Sequence, residues 1–532
     1  MTHSKFRKLR RAEADSFVVT LRPRLTASAL GWGRLSLAGS ILLLALPVSA
    51  LSGAAAPARD RLNILMINMD DLNSWVGPLG GHPQVKTPNL DRLAARGTVF
   101  TNAHTQAPVC NPSRASVFTG VRPESSGLYA LDPPFRQAPA LRGVTTLPQL
   151  FANHGYRTYS TGKNFHDPFK QDPALPAEFT EVGFLGTQGG PRPAKKLKQN
   201  INPEPLIDWG VFPDDDTSQD DWKVADWAIA KLRAIPAAEP FFLAVGIRHP
   251  HVPMYASQKW FDLYPDDKLI MPIVPADDRD DLPKYADYLH WRLPEPRLAL
   301  LERQREWRSH VQAYLASVSF ADHLVGRILD ALDGTEAGRR TVIVFWSDHG
   351  YHNGEKGITG KNSLWEIATR VPVIISAPGF AAGQRSNQPV ELLDLYPTLA
   401  EMCGLTAPGQ VEGVSLVPWL RNPSLSKEKP ARTVAGPGNM AVRSENWRYI
   451  RYADGSEEFY DHRADPEEWH NLAGIPAYAS LIQEHARWIP AVFARPVPGS
   501  KARLIDYQDG VPIWQGKRIL PGDHFDYDPF KD

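Results

Sequence analysis

Two cysteines in 532 residues, Cys110 and Cys403, exclude a fold stapled by a disulfide framework. Charge of one sign is missing as well. The chain carries 59 basic and 59 acidic residues, a formal net charge of zero. No global field is available to gather nucleic acid or a membrane surface, so an anionic substrate must be held by local cations. Long uninterrupted apolar runs are also absent. The best approach to one, Leu35 to Leu51, is broken by Gly39, Ser40 and Pro47, which argues against a permanent transmembrane anchor. There is no internal repeat.

The remaining composition, 42% hydrophobic and 22% charged, is that of a globular protein whose length exceeds what one core usually serves. Lys5, Arg7, Lys8, Arg10, Arg11, Arg22, Arg24 and Arg34 precede the short apolar run, which ends near Val48-Ser49-Ala50. A basic region, an apolar stretch and a small-residue exit read as a secretory signal. The expected product is exported, periplasmic or secreted, with no stable membrane partner. Residues 1–58 are leader and spacer, 59–425 an α/β body and 426–532 a C-terminal subdomain.

Leu62 to Met69 is an apolar run suited to a strand covered on both faces. Thr87 to Ala94 reads as turn into helix, Thr146 to His154 as helix, Tyr156 to Ser160 as strand. Asp220 to Ile235 follows as helix and Pro240 to Ile247 as strand. Val311, Tyr314, Leu315, Val318, Ala321, Leu324, Val325, Ile328 and Leu332 recur at helical spacing. The strands Thr341 to Trp346 and Val371 to Ser376 complete an alternating pattern. It predicts an α/β sandwich around a mostly parallel sheet. Residues 168–216 and 262–297 are Pro-rich and acidic, as expected of surface insertions. Beyond about 425, Asn446 to Tyr452 and Glu457 to Asp461 predict short antiparallel strands. Cys403 closes a helical pattern capped by Gly404 and reads as structural.

Chemistry gathers at predicted strand ends, where open α/β sheets place ligands. Asp70-Asp71 follows the first strand and Asp348-His349 the Thr341–Trp346 strand. Three carboxylates and few soft ligands suit a hard cation, and calcium tolerates an irregular oxygen shell better than magnesium. Helix capping by Asp71 and a turn role for Asp348 are the bland alternatives. Lys163 and His166 follow a third strand, His249 and His251 a fourth. Cys110 opens Cys110-Asn111-Pro112-Ser113-Arg114, and Pro112 favours a helix's first turn, so Cys110 is expected near a helix N-terminus, where negative charge is favoured. Cys110 as a plain buried thiol, and Arg114 as an ordinary salt-bridge partner, remain open on these grounds.

The run Cys110-x-Pro112-Ser113-Arg114-x(4)-Thr119-Gly120 resembles the signature of type I sulfatases, and the likeness extends over roughly residues 60–480. Within that family the chain is most similar to iduronate-2-sulfatase-like members, because His349 stands where many members have asparagine. The resemblance implies an alkaline-phosphatase-like sandwich with a small C-terminal α+β subdomain. It implies that Cys110 is converted to formylglycine by a formylglycine-generating or equivalent maturation enzyme, and that the hydrate attacks a sulfate ester. Asp70, Asp71, Cys110, Asp348 and His349 match the calcium site. Arg114 matches the position that holds the hydrate, Lys163 and Lys361 those that bind sulfate oxygens, and His166 that which contacts the hydrate. His251 matches the general acid, while His249 replaces a family lysine. The implied substrate is a sulfated carbohydrate, with no nucleic acid partner. Choline sulfate, phosphonate or phosphodiester hydrolysis are the alternatives within the superfamily, and an unmodified glycan-binding protein is the distant one.

Overall fold

The computed structural model describes residues 61–166, 177–186 and 190–523. The leader read at 1–58 and part of the 168–216 insertion lie outside them. Among the described residues no helix is long and apolar enough to cross a membrane.

Eight strands form the main sheet: β1 (Asn63–Asp70), β2 (Thr98–Phe100), β3 (Arg157–Gly162), β4 (Glu181–Val182), β5 (Phe241–Pro250), β6 (Thr341–Ser347), β7 (Val373–Ser376) and β8 (Gln384–Ser386). Their spatial order is β8-β2-β7-β6-β1-β5-β3-β4. Pairings β6-β1, β1-β5, β5-β3 and β3-β4 are parallel. Only β7 runs against its neighbours, antiparallel to both β6 and β2.

The continuous apolar strands serve two cores at once, because successive side chains point to opposite faces. Leu65, Ile67 and Met69 of β1 join Leu243, Val245 and Ile247 of β5 and Phe345 of β6 on one face. The helices α1 (Pro88–Ala95), α2 (Cys110–Thr119), α3 (Leu147–Asn153), α4 (Asp220–Ala234), α5 (Trp307–Asp333) and α6 (Leu395–Met402) cover the sheet. α1, α4 and α5 pack on that first face. Ile64, Met66, Phe242, Ala244, Val344 and Trp346 face the other way, against α2, α3 and α6. The expected α/β sandwich is present.

A second, antiparallel sheet contains β9 (Ala431–Val434), β10 (Met440–Arg443), β11 (Trp447–Arg451) and β12 (Glu457–Asp461). One face carries Val442, Tyr449 and Phe459 and packs against Ile482 of α7 (Ala479–Ala486) and Ile489. On the other, Ile450, Tyr452 and Tyr460 meet Tyr285, Leu289, Trp291 and Leu293. This corrects the expectation for 262–297. From Tyr285 onward that segment is core, because its aromatic and leucine side chains have the second sheet to cover. Buried charges add to the apolar contact. Glu366 accepts hydrogen bonds from Arg443 and Arg448, and Arg448 also pairs with Glu468 at 2.5 Å.

Candidate active site

β1, β3, β5 and β6 run parallel, so their carboxyl ends open on one edge of the sheet. Asp70 ends β1, Lys163 follows β3, His251 follows β5, and Asp348 follows β6. Cys110 is the first residue of α2, a helix buried along its whole length. Val109 before it is extended, so the chain turns into the helix at Cys110.

The Cys110 Sγ lies 3.1 Å from Lys361 Nζ, 3.3 Å from His349 Nε2, and 3.7 Å from both Lys163 Nζ and Asp70 Oδ1. Burial by itself would raise the thiol pKa. Lys163, Lys361, His349 and a hydrogen bond from His166 override burial and hold it well below the usual range. The sulfur stands where the expected aldehyde oxygens would be, and the surroundings favour negative charge there.

Arg114 is fully buried. Its Nε donates to Asp348 Oδ2 at 2.8 Å, Nη2 to Asp70 Oδ1 at 3.1 Å, and Nη1 to Asn68 Oδ1 at 2.8 Å. A guanidinium fork held at three points orders the two carboxylates rather than reaching outward. Lys163 Nζ pairs with Asp70, and Lys361 Nζ with Asp71 Oδ1 at 2.6 Å. Tyr314 OH donates to the Asp71 carbonyl at 2.8 Å, which supports a residue in the left-handed region, φ 64°.

Asp70, Asp71, Cys110 and His349 each offer a donor atom, all within 4.8 Å of one another. Asp348 adjoins the group, with Oδ2 3.4 Å from His349 Nε2, but that oxygen is also bound by Arg114. Burial pushes the Asp348 carboxyl up to about 7, with Asp70 adding to the rise and Arg114 opposing it. Burial would lower the His349 imidazole, yet Asp348 raises it. Asp71 Oδ2 is buried and has no hydrogen-bond partner among the described residues. An orphaned carboxylate oxygen among crowded acids is the condition a bound cation relieves, so the residues fit a hard divalent ion.

The two histidines at the end of β5 differ sharply. His249 Nδ1 bonds Asp221 Oδ2 at 2.6 Å and Nε2 the Tyr255 carbonyl at 2.8 Å, so both nitrogens are engaged away from the site. His251 Nδ1 donates to the Val252 carbonyl at 2.6 Å, and Nε2 lies 3.9 Å from Asp71 Oδ2. The ten residues given catalytic or metal-binding roles from the sequence lie together here: Asp70, Asp71, Cys110, Arg114, Lys163, His166, His251, Asp348, His349 and Lys361. The sequence reading missed Asn68 and Tyr314, which orient Arg114 and Asp71. Asn68 was visible as a polar residue inside an apolar strand, whereas Tyr314 was absorbed into the helical stripe of α5. Cys403 caps α6 before Gly404 (φ 67°), and both cysteines are free.

The sequence profile of the sulfatase family matches residues 62–405. This chain belongs to the sulfatase family. It is a sulfuric ester hydrolase. A second profile, the C-terminal region of N-sulphoglucosamine sulphohydrolase, matches residues 354–491. A sulfatase of Formosa agariphila is 38% identical over 445 residues, covering 81% of this chain and 87% of that one. Human iduronate 2-sulfatase is 33% identical over 401 residues, 66% of this chain and 70% of that one. Among solved structures, a 2-O GAG sulfatase superposes with a TM-score of 0.63 at 24% identity, covering 80% of this chain and 90% of the other. The fold of this sulfatase is accordingly the alkaline-phosphatase-like one.

Proposed function

We propose that this sulfatase removes sulfate esters from sugars, with fragments of glycosaminoglycans or other polysaccharides as its substrates. Iduronate 2-sulfatase among the relatives and the 2-O GAG sulfatase among the folds make a 2-O-sulfated uronate the first candidate. The observation that carries the reading is the convergence of Lys163, Lys361 and His349 on position 110 at the sheet's carboxyl edge. Two lysines and a histidine around one position are the donor set that a tetrahedral anion would need.

Calcium would be held by Asp70, Asp71, Asp348, His349 and residue 110. The aldehyde hydrate at position 110 would supply the attacking oxygen, and calcium a fixed positive charge beside it. Lys163 and Lys361 reach the sulfur of Cys110 and are placed to hold sulfate oxygens as charge grows on them. Arg114, locked by Asp348, Asp70 and Asn68, keeps two carboxylates in register without titrating. His166 bonds the side chain at 110 and is the group positioned to take a proton from it. His251 Nδ1 donates to a carbonyl and Nε2 faces the site; as the imidazolium, which burial opposes and the neighbouring Asp71 favours, the ring would give its Nε2 proton to the departing sugar oxygen.

Residue 110 would first be matured by a formylglycine-generating or equivalent enzyme, and we assign the basic and apolar N-terminal run to export of the product. We assign residues 59–425 to the catalytic body and 426–532 to the C-terminal subdomain. The test is sulfate release from heparan, dermatan, ulvan and carrageenan oligosaccharides beside choline sulfate and a phosphodiester. Turnover of a 2-O-sulfated uronate is the expected result. Release from choline sulfate alone would overturn the carbohydrate assignment.

A further inference from the structure

Residues 492–523 lie beyond the last position matched by either family profile. They return to the active site. Val497 N–H donates to the Gly127 carbonyl at 3.0 Å, and Lys501 and Asp132 exchange backbone bonds at 3.1 and 3.3 Å. Leu131 N–H then donates to the Ala502 carbonyl at 3.1 Å, and Ile505 is buried among Tyr285, Trp291 and Leu364. Between these anchors Ala502 and Arg503 both lie in the left-handed region, φ 60° and 69°. Two consecutive non-glycine residues there are unfavourable and persist only where neighbouring contacts hold them.

The held conformation sends the Arg503 side chain inward. Nη1 donates to Asn362 Oδ1 at 2.9 Å, and Nη2 pairs with the buried Glu295. Burial would lower the guanidinium's pKa, but Glu295, and beyond it Cys110 and Asp71, raise it. Both partners bear on the residues flanking Lys361: Asn362 is one of them, and Glu295 packs on the other, Gly360. A Cβ added at Gly360 (φ 90°) would stand 2.7 Å from Glu295 Cγ, so Glu295 lies flush on that backbone. Asn362 is itself left-handed, φ 72°, and its N–H donates to the Pro108 carbonyl at 3.0 Å, two residues before Cys110.

We propose that Arg503 is a positioning residue for Lys361: with Glu295 it clamps Gly360 and Asn362, so that a tail outside the family profiles completes the sulfate-binding pocket. This rests on Lys361 being a sulfate ligand. The guanidinium fork matters as much as its charge, since one donor must reach a carboxylate and another an amide oxygen.

The experiment measures inhibition by inorganic sulfate, with kcat and KM on nitrophenyl sulfate, in the full-length matured enzyme, alongside thermal midpoints. Arg503→Gln should weaken sulfate inhibition about 10–100-fold, taking the order seen when an outer-shell group that orients a metal ligand is removed. Asn362→Gly keeps the backbone conformation, removes the acceptor, and should weaken it comparably. The double variant should lose little more than either alone, and Arg503→Lys should recover little. Multiplicative losses in the double variant, or full rescue by lysine, would overturn the clamp. So would an Arg503→Gln defect confined to sugar sulfates, which would make Arg503 a direct substrate contact. If Arg503→Gln does not fold, Asn362→Gly and Arg503→Lys decide by the same criteria. Lys361→Ala stands as the separate check: unchanged sulfate inhibition there means that Lys361 is not the ligand, whatever Arg503 does.

Discussion

His251 and His249 are separated by one proline, and the structure gives them different surroundings. Replacing His251 with alanine removes the ring whose Nε2 faces the site. A sugar alkoxide is a poor leaving group and needs that proton, whereas nitrophenolate departs without much help. General acid catalysis typically contributes about 10²–10⁴-fold, so kcat on a sugar sulfate should fall by that order while nitrophenyl sulfate turnover falls far less. His249→Ala acts elsewhere. It removes the bond to Asp221 at 2.6 Å and leaves that buried carboxylate with the backbone N–H groups of Arg248 and His249, at 2.9 and 2.8 Å. Loss of one hydrogen bond to a charged group costs about 1.5–3 kcal/mol. That loss should read out as a lower thermal midpoint and as equal activity ratios on the two substrates. The assay is steady-state turnover of both sulfates for both variants, with melting curves in parallel. Equal losses on both leaving groups for His251→Ala would refute the general-acid role and leave sulfate positioning, and leaving-group selectivity appearing in His249→Ala would mean the histidines are exchanged.

Cys110→Ala should fold with a melting curve close to that of the parent and release no sulfate, and the intact mass of the residue 110 peptide should show the aldehyde in active protein; turnover by purified Cys110→Ala would refute the nucleophile. Asp70→Asn and Asp71→Asn should each weaken calcium binding and activity together, measured by calorimetry and by selective calcium return after chelation; full activity in protein shown by elemental analysis to be metal-free would sink the calcium site. Arg122 holds both oxygens of buried Glu391, at 2.7 and 2.5 Å; burial would raise that carboxyl, but the arginine brings it down from 4.5 to about 2. The folded value lies below the unfolded one, so the pair's stabilisation is present above about pH 4.5 and is lost as pH falls toward about 2. Glu391→Gln should cost about 3–5 kcal/mol at neutral pH and flatten the acid limb of the stability curve, read from denaturant midpoints; an unchanged limb would mean the pair does not govern it.

Much of this protein was legible before any coordinate. Runs such as Ile64 to Ile67 and Phe241 to Ile247 are apolar on both faces, which only a strand covered on both sides needs. The α5 stripe repeats at helical spacing, and acids or lysines placed just after such strands point to one sheet edge. Their convergence followed from local pattern plus the rule that parallel strands share a carboxyl end. Four things were decided by tertiary structure alone. Tyr285 to Arg297 reads as polar insertion by its acidic neighbours, yet it is core, since the surface it covers belongs to residues more than 150 positions later in the chain. The reversed direction of β7 follows from pairing partners that no local signal names. The family resemblance favours His251 over His249, but only the partners Asp221 and Tyr255 show that His249 is turned away. Arg503 lies some 140 residues from Lys361, and long-range contact of that kind leaves no trace in spacing or composition. Sequence determines which side chains can do the chemistry; what holds each at its angle depends on neighbours brought together only by folding.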